Sequence, residues 1–105
     1  MPDYIYLIHP FRHEFFDRPT PDEEAAMAAH FDYLKEATAR GQVLLAGPCL
    51  DETFGLVVFR AESEPAARAF MLNDPSVRCN VMMAELHPLH ISLRADGAAN
   101  PEGQG

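Results

Sequence analysis

The stretch Val43–Arg60, VLLAGPCLDETFGLVVFR, decides the fold, because it contains two short apolar strands separated by a turn. Residues 43–46 are rich in strand-forming side chains and are followed by Gly47-Pro48, and residues 54–60 form a second run of the same type. The connection of residues 49–53 is short enough for the two strands to pair as an antiparallel hairpin.

A helix is predicted on each side of this hairpin. Thr20-Pro21-Asp22-Glu23 combines a capping residue, an early proline and an acid that completes a capping box, which predicts a helix from about Pro21 to Arg40. Ser63-Glu64-Pro65 repeats this pattern and predicts a second helix from about Glu64 to Leu72. Asn73-Asp74-Pro75 should end it, since the residue before a proline is pushed out of the helical region.

The first helix carries an apolar stripe. Met27, Phe31 and Leu34 are spaced at the helical period, so we expect all three to face the core. His30 borders this stripe.

Two further strands and a loop complete the chain. Residues 4–8 predict a first strand, and residues 81–93 a last strand, which Pro88 should place at a sheet edge or interrupt with a bulge. The loop of residues 9–19 contains three Phe, and because exposed aromatic side chains are costly it should fold over a pocket or an interface. Residues 94–105 are rich in Gly and poor in apolar residues, which predicts a disordered tail.

The order of elements is therefore β-α-β-β-α-β in a single domain of residues 1–93. This order is typical of the ferredoxin-like α+β arrangement, in which both helices cover one face of a four-stranded antiparallel sheet. The third strand is apolar on both faces, with Val57 and Phe59 on one and Leu56 and Val58 on the other. We therefore expect a homodimer in which a second subunit covers the open sheet face.

Composition limits the classes of partner and compartment. A net charge of −8 and a pI near 4.9 oppose nucleic-acid binding, which requires clustered Lys and Arg. No apolar run is long enough to span a membrane and no signal sequence is evident, so we expect a cytoplasmic protein. Cys49 and Cys79 lack the spacing of a zinc site or a disulfide framework.

Strand directions bring several unusual residues to one end of the domain. His9, Gly47, Pro48, Phe54 and Asp74 should lie at this end, with His30 just beneath it. An imidazole held by a carboxylate is a proton-transfer unit near neutral pH. The alternative is that the histidine is a boundary residue and the aspartate a turn residue that accepts local backbone hydrogen bonds.

The sequence predicts neither a metal site nor a cofactor site. His9 and His13 with Glu14, or His87 with His90, lack a third ligand, so we assign no metal site. Gly47 and Gly55 do not belong to a phosphate-binding loop, and we expect no cofactor.

Five motifs of the chain resemble those of the YciI-like (YCII-related) proteins. They are His30-Phe31-Asp32-Tyr33-Leu34, Leu45-Ala46-Gly47-Pro48, Phe54-Gly55, Asn73-Asp74-Pro75-Ser76-Val77 and Glu85-Leu86-His87-Pro88. The resemblance covers residues 4–93 and implies a ferredoxin-like fold that forms a dimeric α/β barrel, with an active site centred on His30 and Asp74. One branch of that family includes a dehydrochlorinase acting on a chlorinated hydroxyquinol. Residues 78–80, Arg-Cys-Asn, depart from the small residues that the family often has there.

Together these observations predict a small cofactor-independent enzyme of the lyase, isomerase or dehydrochlorinase type. His30 would be the general acid or base, oriented by Asp74, and the substrate a small cyclic or aromatic metabolite. His9, Arg12, Gly47, Pro48 and Phe54 would bind this substrate, with Arg12 matching any anionic group. The alternative is a non-catalytic protein that binds a small ligand in the same pocket, and a metal-dependent enzyme built on the loop histidines ranks last.

Overall fold

Four antiparallel strands form the sheet of this protein, for which a computed structural model describes residues 1–95. The strands are β1 (Asp3–Pro10), β2 (Val43–Pro48), β3 (Gly55–Arg60) and β4 (Met82–Leu89). They lie in the order β2-β3-β1-β4, so the predicted hairpin β2-β3 forms one side of the sheet. The strand β4 lies at the opposite edge, as the proline in it predicts.

The helices pack against one face of this sheet. They are α1 (Pro21–Ala39), α2 (Glu64–Leu72) and the short α3 (Pro75–Arg78), and a 3₁₀ turn at His13–Phe15 precedes α1. The structure confirms the predicted β-α-β-β-α-β order and the ferredoxin-like α+β fold class, to which it adds α3.

Local sequence explains where the helices begin. The hydroxyl of Thr20 accepts a hydrogen bond from the backbone N–H of Glu23, and the Glu23 carboxylate accepts one from the backbone N–H of Thr20. This is the predicted capping box. Ser63 caps α2 by accepting from Ala66 N–H, and the Asp74 side chain caps α3. Asp74 therefore ends one helical segment and begins another.

Alternation along the central strand β1 divides the sheet into two faces. Tyr4, Tyr6 and Ile8 are buried under the helices, whereas the residues between them lie on the open face. The Tyr6 ring contacts the Phe59 ring edge-on with centroids 5.5 Å apart, and Phe59 stacks on Phe70 of α2 at 4.9 Å. Each buried aromatic side chain stabilises the fold by about 2 kcal/mol through burial alone.

The prediction of a buried Phe31 was wrong. Its side chain is 65% exposed, and the buried residues of α1 are Ala26, Leu34 and Ala37. Helix α1 turns this narrower stripe toward the sheet, because small alanines let it approach closely, and Phe31 is left beside the groove next to β2.

The strand boundaries also differ from the predictions. The strand β1 continues through His9 and Pro10, which shortens the predicted loop, and β4 ends at Leu89 rather than residue 93. The register of β1 with β4 runs unshifted through Pro88, and the irregularity of the sheet lies instead in β2, between Val43 and Leu45. An edge strand accommodates a proline, because one of its two sides has no ladder that needs an N–H donor.

Within residues 1–95, no helix has the length and apolar character that a membrane span needs. The predicted disordered tail, residues 94–105, lies almost wholly outside the described residues.

Candidate active site

His30 and Asp74 are in direct contact, although they are far apart in sequence. The imidazole Nδ1 lies 2.8 Å from Oδ1 and 2.9 Å from Oδ2 of the carboxylate. His30 lies in the middle of α1, and Asp74 lies at the junction of α2 and α3. Packing of α1 against α3 brings the two side chains together.

The carboxylate of Asp74 is completely buried and receives hydrogen bonds on both oxygens. The Tyr6 hydroxyl donates to Oδ2 at 2.6 Å, and the backbone N–H and hydroxyl of Ser76 donate to Oδ1, each at 2.9 Å. Burial raises the pKa of Asp74, but the hydrogen bond and charge of His30, with the bonds from Tyr6 and Ser76, together hold this pKa below its ordinary value. Asp74 is therefore a fixed buried anion at neutral pH.

The hydroxyl of Tyr6 is fixed as a donor by the same carboxylate. Burial and then the negative charge of Asp74 raise the pKa of Tyr6, so the phenol remains protonated. Its ring is held by the aromatic contacts of the core. Tyr6 therefore supports Asp74 from the side of the sheet.

This arrangement determines the chemical state of the imidazole. Because Asp74 is an acceptor, the Nδ1 of His30 carries a proton that is donated to it, which in neutral imidazole leaves a lone pair on Nε2. Nε2 forms no hydrogen bond with any of residues 1–95. It is also not among the side-chain nitrogen and oxygen atoms of these residues that are both buried and without a partner. The side chain is 14% exposed and contributes to a cavity wall.

That cavity lies between α1, the 3₁₀ turn and the hairpin β2-β3, and is called here the α1–β2 cavity. Its volume is about 880 Å³, large enough for a small metabolite. Most of its lining is apolar, with contributions from Phe15, Phe16, Met27, Phe31, Leu45 and Phe54. The arrangement can take up an apolar ligand and present one proton-transferring nitrogen to it.

Comparison with known proteins places the chain in a family. The model of the YCII-related domain matches residues 6–86. The chain belongs to the YCII-related family. This confirms the resemblance inferred from the His30, Gly47-Pro48 and Asp74-Pro75 motifs. The comparison with curated proteins gives no match.

One solved structure similar to this YCII-related protein is 5-chloro-2-hydroxyhydroquinone dehydrochlorinase (TftG) from Burkholderia phenoliruptrix AC1100, in complex with 2,5-dihydroxybenzoquinone. The TM-score is 0.63 at 20% sequence identity, and the match covers 83% of this chain and 93% of the other. At this identity the likeness supports the fold.

The structure separates the predicted substrate-binding residues into two groups. Gly47, Pro48 and Phe54 line the α1–β2 cavity together with His30. His9 does not line this cavity; it is exposed at the end of β1 and belongs to the open sheet face. Arg12 also lies outside the lining, and Glu23 binds its guanidinium.

Sequence reasoning missed Tyr6 and Ser76. Alternation along β1 indicates that the tyrosine is buried, but no sequence signal names the partner of its hydroxyl. A signal for Ser76 was present, since Asp-Pro is a common helix start in which the aspartate accepts from the residue two positions on. The sequence Asp74-Pro75-Ser76 could thus have predicted α3 and the contact.

Metal ligands are not clustered in the described part of the chain. Residues 1–95 contain no group of three or more His, Cys, Asp or Glu side chains that could hold an ion. Cys49 and Cys79 are free thiols, and the former lines the cavity.

Proposed function

We propose that this protein is a small cofactor-independent enzyme that uses His30 for acid–base chemistry on a cyclic or aromatic metabolite. The observation that carries this proposal is the pairing of Nδ1 with the buried anion of Asp74, which leaves Nε2 as the free nitrogen beside an apolar cavity. Lyase, isomerase and dehydrochlorinase reactions all fit a site with one proton-transferring group.

The chemistry begins with Nε2 as a general base. It removes a proton from a carbon or hydroxyl of the ligand, and the imidazolium that forms is stabilised by Asp74. The electron pair released from the C–H or O–H bond forms a new C=C or C=O double bond. In an elimination a leaving group departs with its own electron pair, whereas in an isomerisation the proton returns from Nε2 to a different atom.

The surroundings support this role through preorganisation. Asp74 already holds its charge and its hydrogen bonds, so no rearrangement is needed when the imidazole becomes charged. The apolar lining lowers the local dielectric and strengthens the attraction between the two groups. Such a dyad contributes about 10²- to 10⁴-fold to the rate of proton transfer.

The class of ligand follows from the lining. Phe15, Phe31 and Phe54 present aromatic surface to the cavity, which favours ring-shaped, weakly polar molecules. The similar dehydrochlorinase is described in complex with a dihydroxybenzoquinone, and we extend only that general ligand type, a small oxygenated ring, to this chain.

We also infer that the protein forms a cytoplasmic homodimer through its open sheet face. Ile5, Leu7, Leu56 and Val58 lie on this face and are only partly covered within one chain. A continuous apolar sheet surface is typical of an interface. Light scattering should report a dimer, and Val58→Asp should produce a monomer; a wild-type monomer at high protein concentration would contradict the inference.

A substitution of the histidine tests the enzymatic proposal. Small cyclic enols and phenols are first screened by thermal shift, since specific binding raises the apparent melting temperature. Compounds that bind are then assayed for turnover by the wild type and by His30→Ala. We expect this variant to fold and to lose about 10²-fold or more in kcat.

The matched control is His13→Ala, because that histidine is exposed and lies outside the cavity lining. It should keep full turnover. If His30→Ala turned over a substrate at the wild-type rate, the assigned role of this imidazole would be wrong.

A non-catalytic ligand-binding protein is the second candidate, and the strongly apolar lining favours it, since such a cavity holds a ligand without any chemical step. In that case the screen yields binders but no turnover, and His30→Ala alters affinity alone.

A further inference from the structure

The connection between β1 and α1 contributes two aromatic side chains to the wall of the α1–β2 cavity. Phe15 and Phe16 both line the cavity, and their rings meet edge to face with centroids 5.1 Å apart at an interplanar angle of 81°. Phe15 also packs against the hydrophobic core, while Phe16 is 44% exposed. The Phe15 ring is therefore anchored in the core, whereas the Phe16 ring is largely open to solvent.

The same connection is fastened to α1 by an ion pair. Arg12 Nε donates to Oε2 of Glu23 at 2.9 Å, and Nη2 donates to Oε1 at 3.0 Å, which is a two-point contact. Nη2 also donates to the carbonyl oxygen of Arg18 and so closes the loop on itself. The Glu23 side chain is only 12% exposed, although it lies in the first turn of the helix.

The carboxylate of Glu23 binds Arg12 and also caps the helix α1. Its Oε1 also accepts from the backbone N–H of Thr20 and completes the capping box of α1. The hydrogen bond from Arg12 and the bonds from Thr20 lower the pKa of Glu23 to about 2, so the carboxylate is charged throughout the neutral range. One side chain thus couples the start of α1 to the loop that carries Phe15 and Phe16.

We propose that the Arg12–Glu23 ion pair is a latch that fixes Phe15 and Phe16 as an aromatic lid, and that this lid selects flat apolar ligands. This inference rests on the proposed function, since it takes the cavity to be the ligand site. Arg12 and Glu23 are then positioning residues that act through the lid.

The chemistry of the latch determines what the lid offers a ligand. The guanidinium of Arg12 forms ion pairs with Glu23 and, at the longer distance of 3.4 Å, with Glu14. Because both partners are negatively charged, Arg12 presents no unpaired positive charge to the cavity. The lid therefore presents to a ligand only the surfaces of the Phe15 and Phe16 rings. Such rings stack on planar molecules and fit globular ones poorly. In this proposal Arg12 positions the lid and does not itself bind an anionic substrate.

Amide hydrogen exchange tests the latch without any ligand. The loop amides to follow are Phe15 N–H, which donates to the Arg12 carbonyl at 3.1 Å, and Arg18 N–H, which donates to the Glu14 carbonyl. Glu23→Gln keeps the acceptor of the capping box but removes the charge that holds the guanidinium. We expect both amides to exchange about threefold faster or more.

Glu14→Gln is the matched control. It replaces the carboxylate of Glu14, the other ion-pair partner of Arg12, by an amide. Because Glu14 contacts Arg12 through a single exposed hydrogen bond of 3.4 Å, this variant should leave both exchange rates unchanged. Arg12→Ala should reproduce the effect of Glu23→Gln. Unchanged exchange in both latch variants, with the helices still protected, would overturn the latch.

Ligand selection is tested with 1-naphthol, a flat phenol, and 1-adamantanol, a globular alcohol with the same number of carbon atoms. The wild type should bind 1-naphthol more tightly, and Phe16→Ala should weaken its binding by about tenfold through lost ring contact, with little effect on 1-adamantanol. Phe11→Ala is the control, because this exposed ring in the same connection does not line the cavity. Absence of 1-naphthol binding to the wild type would refute the selective lid, and so would a ratio of the two affinities in Phe16→Ala that is the same as in the wild type.

These outcomes are separable from those of the proposed enzyme. If the lid variants change exchange and naphthol binding while His30→Ala leaves turnover intact, the lid stands and the catalytic role of His30 falls. If exchange and binding are unchanged while His30→Ala abolishes turnover, the catalytic role stands and the lid falls.

Discussion

Replacement of Asp74 by Asn probes the candidate site, because it changes charge and hydrogen-bonding character with almost no change in shape. The amide keeps one acceptor oxygen, which remains best placed toward the two donors of Ser76. The NH₂ group then occupies the position of Oδ2, where the carboxylate accepts from Tyr6 at 2.6 Å and lies 2.9 Å from His30 Nδ1. At the Oδ2 position, the Tyr6 and His30 donors would now face the amide donor. Nδ1 also lies 2.8 Å from Oδ1, but the two donors of Ser76 already use the two lone pairs of that oxygen.

The magnitude follows from these contacts. Each hydrogen bond to a buried charge contributes about 1.5–3 kcal/mol, and two of those on Asp74 are lost in their present form. Part is recovered when the Tyr6 hydroxyl rotates and the His30 ring changes tautomer to accept from the amide. We expect a net loss of about 2–4 kcal/mol in the free energy of unfolding, which is smaller than the typical stability of a domain, about 5–15 kcal/mol.

The tautomer gives the sharper measurement. In the wild type the neutral ring should carry its proton on Nδ1, whereas in Asp74→Asn the proton should move to Nε2 and occupy the lone pair that faces the cavity. Long-range ¹⁵N–¹H correlation spectra of the His30 side chain distinguish these forms, and urea denaturation gives the free energy. Turnover, once a substrate is known, should fall by about 10²- to 10⁴-fold.

Asp32→Asn is the matched control, since this residue lies in α1 beside His30 but is exposed. It should change stability by about 0.5 kcal/mol or less and leave the tautomer as in the wild type. The reasoning would be refuted if Asp74→Asn unfolded at the wild-type urea concentration, or if His30 kept its proton on Nδ1 in that variant.

Three further predictions concern the carboxylates of Asp74 and Glu23. Tyr6→Phe removes one donor and should lower the free energy of unfolding by about 2 kcal/mol, measured in urea, while raising the pKa of Asp74 toward its ordinary value. Ser76→Ala removes the hydroxyl donor and should cost about the same but leave the tautomer of His30 unchanged in ¹⁵N spectra, because the backbone N–H still holds Oδ1. In the folded protein the pKa values of Asp74 and Glu23 lie below their ordinary values of 3.8 and 4.5. The two carboxylates therefore stabilise the fold fully at a pH above the ordinary values, and this stabilisation is lost as the pH falls through the lowered pKa values of the folded state. The urea midpoint of the wild type should therefore decrease from about pH 5 to about pH 2, and less steeply in Asp74→Asn and in Glu23→Gln.

Much of the fold could be predicted because its signals are local. The capping box at Thr20, the serine cap at Ser63 and the proline at position 75 set the helix boundaries, and short apolar runs between them give the strands. Once the order of elements is known, strand direction alone brings His30 and Asp74 to the same end of the domain. Their contact follows from topology combined with local sequence.

The rest depends on side-chain partners that sequence spacing does not specify. Phe31 has the period of a core residue, yet the depth of α1 on the sheet is set by alanines elsewhere on the helix, which leaves this ring 65% exposed. Arg12 has the charge expected of an anion-binding group, but its distance from Glu23 is decided by the path of an irregular loop. The partner of the Tyr6 hydroxyl, Asp74, likewise lies far away in the sequence and is brought close only by the fold.

The two interpretations of Asp74 offered by the sequence, a turn residue and a catalytic partner, describe the same side chain. Pro75 requires an extended backbone before it, and Asp74 has φ −60° and ψ 125°, a conformation from which its carboxylate reaches back to the N–H of Ser76. The local chain thus fixes the carboxylate in place whether or not an imidazole is present. Since this position is set by capping and by Tyr6, His30 meets an acceptor that needs no ordering of its own. A structural role for Asp74 is therefore the physical reason that it could orient a catalytic base, and the stability lost in Asp74→Asn should accompany the change of tautomer.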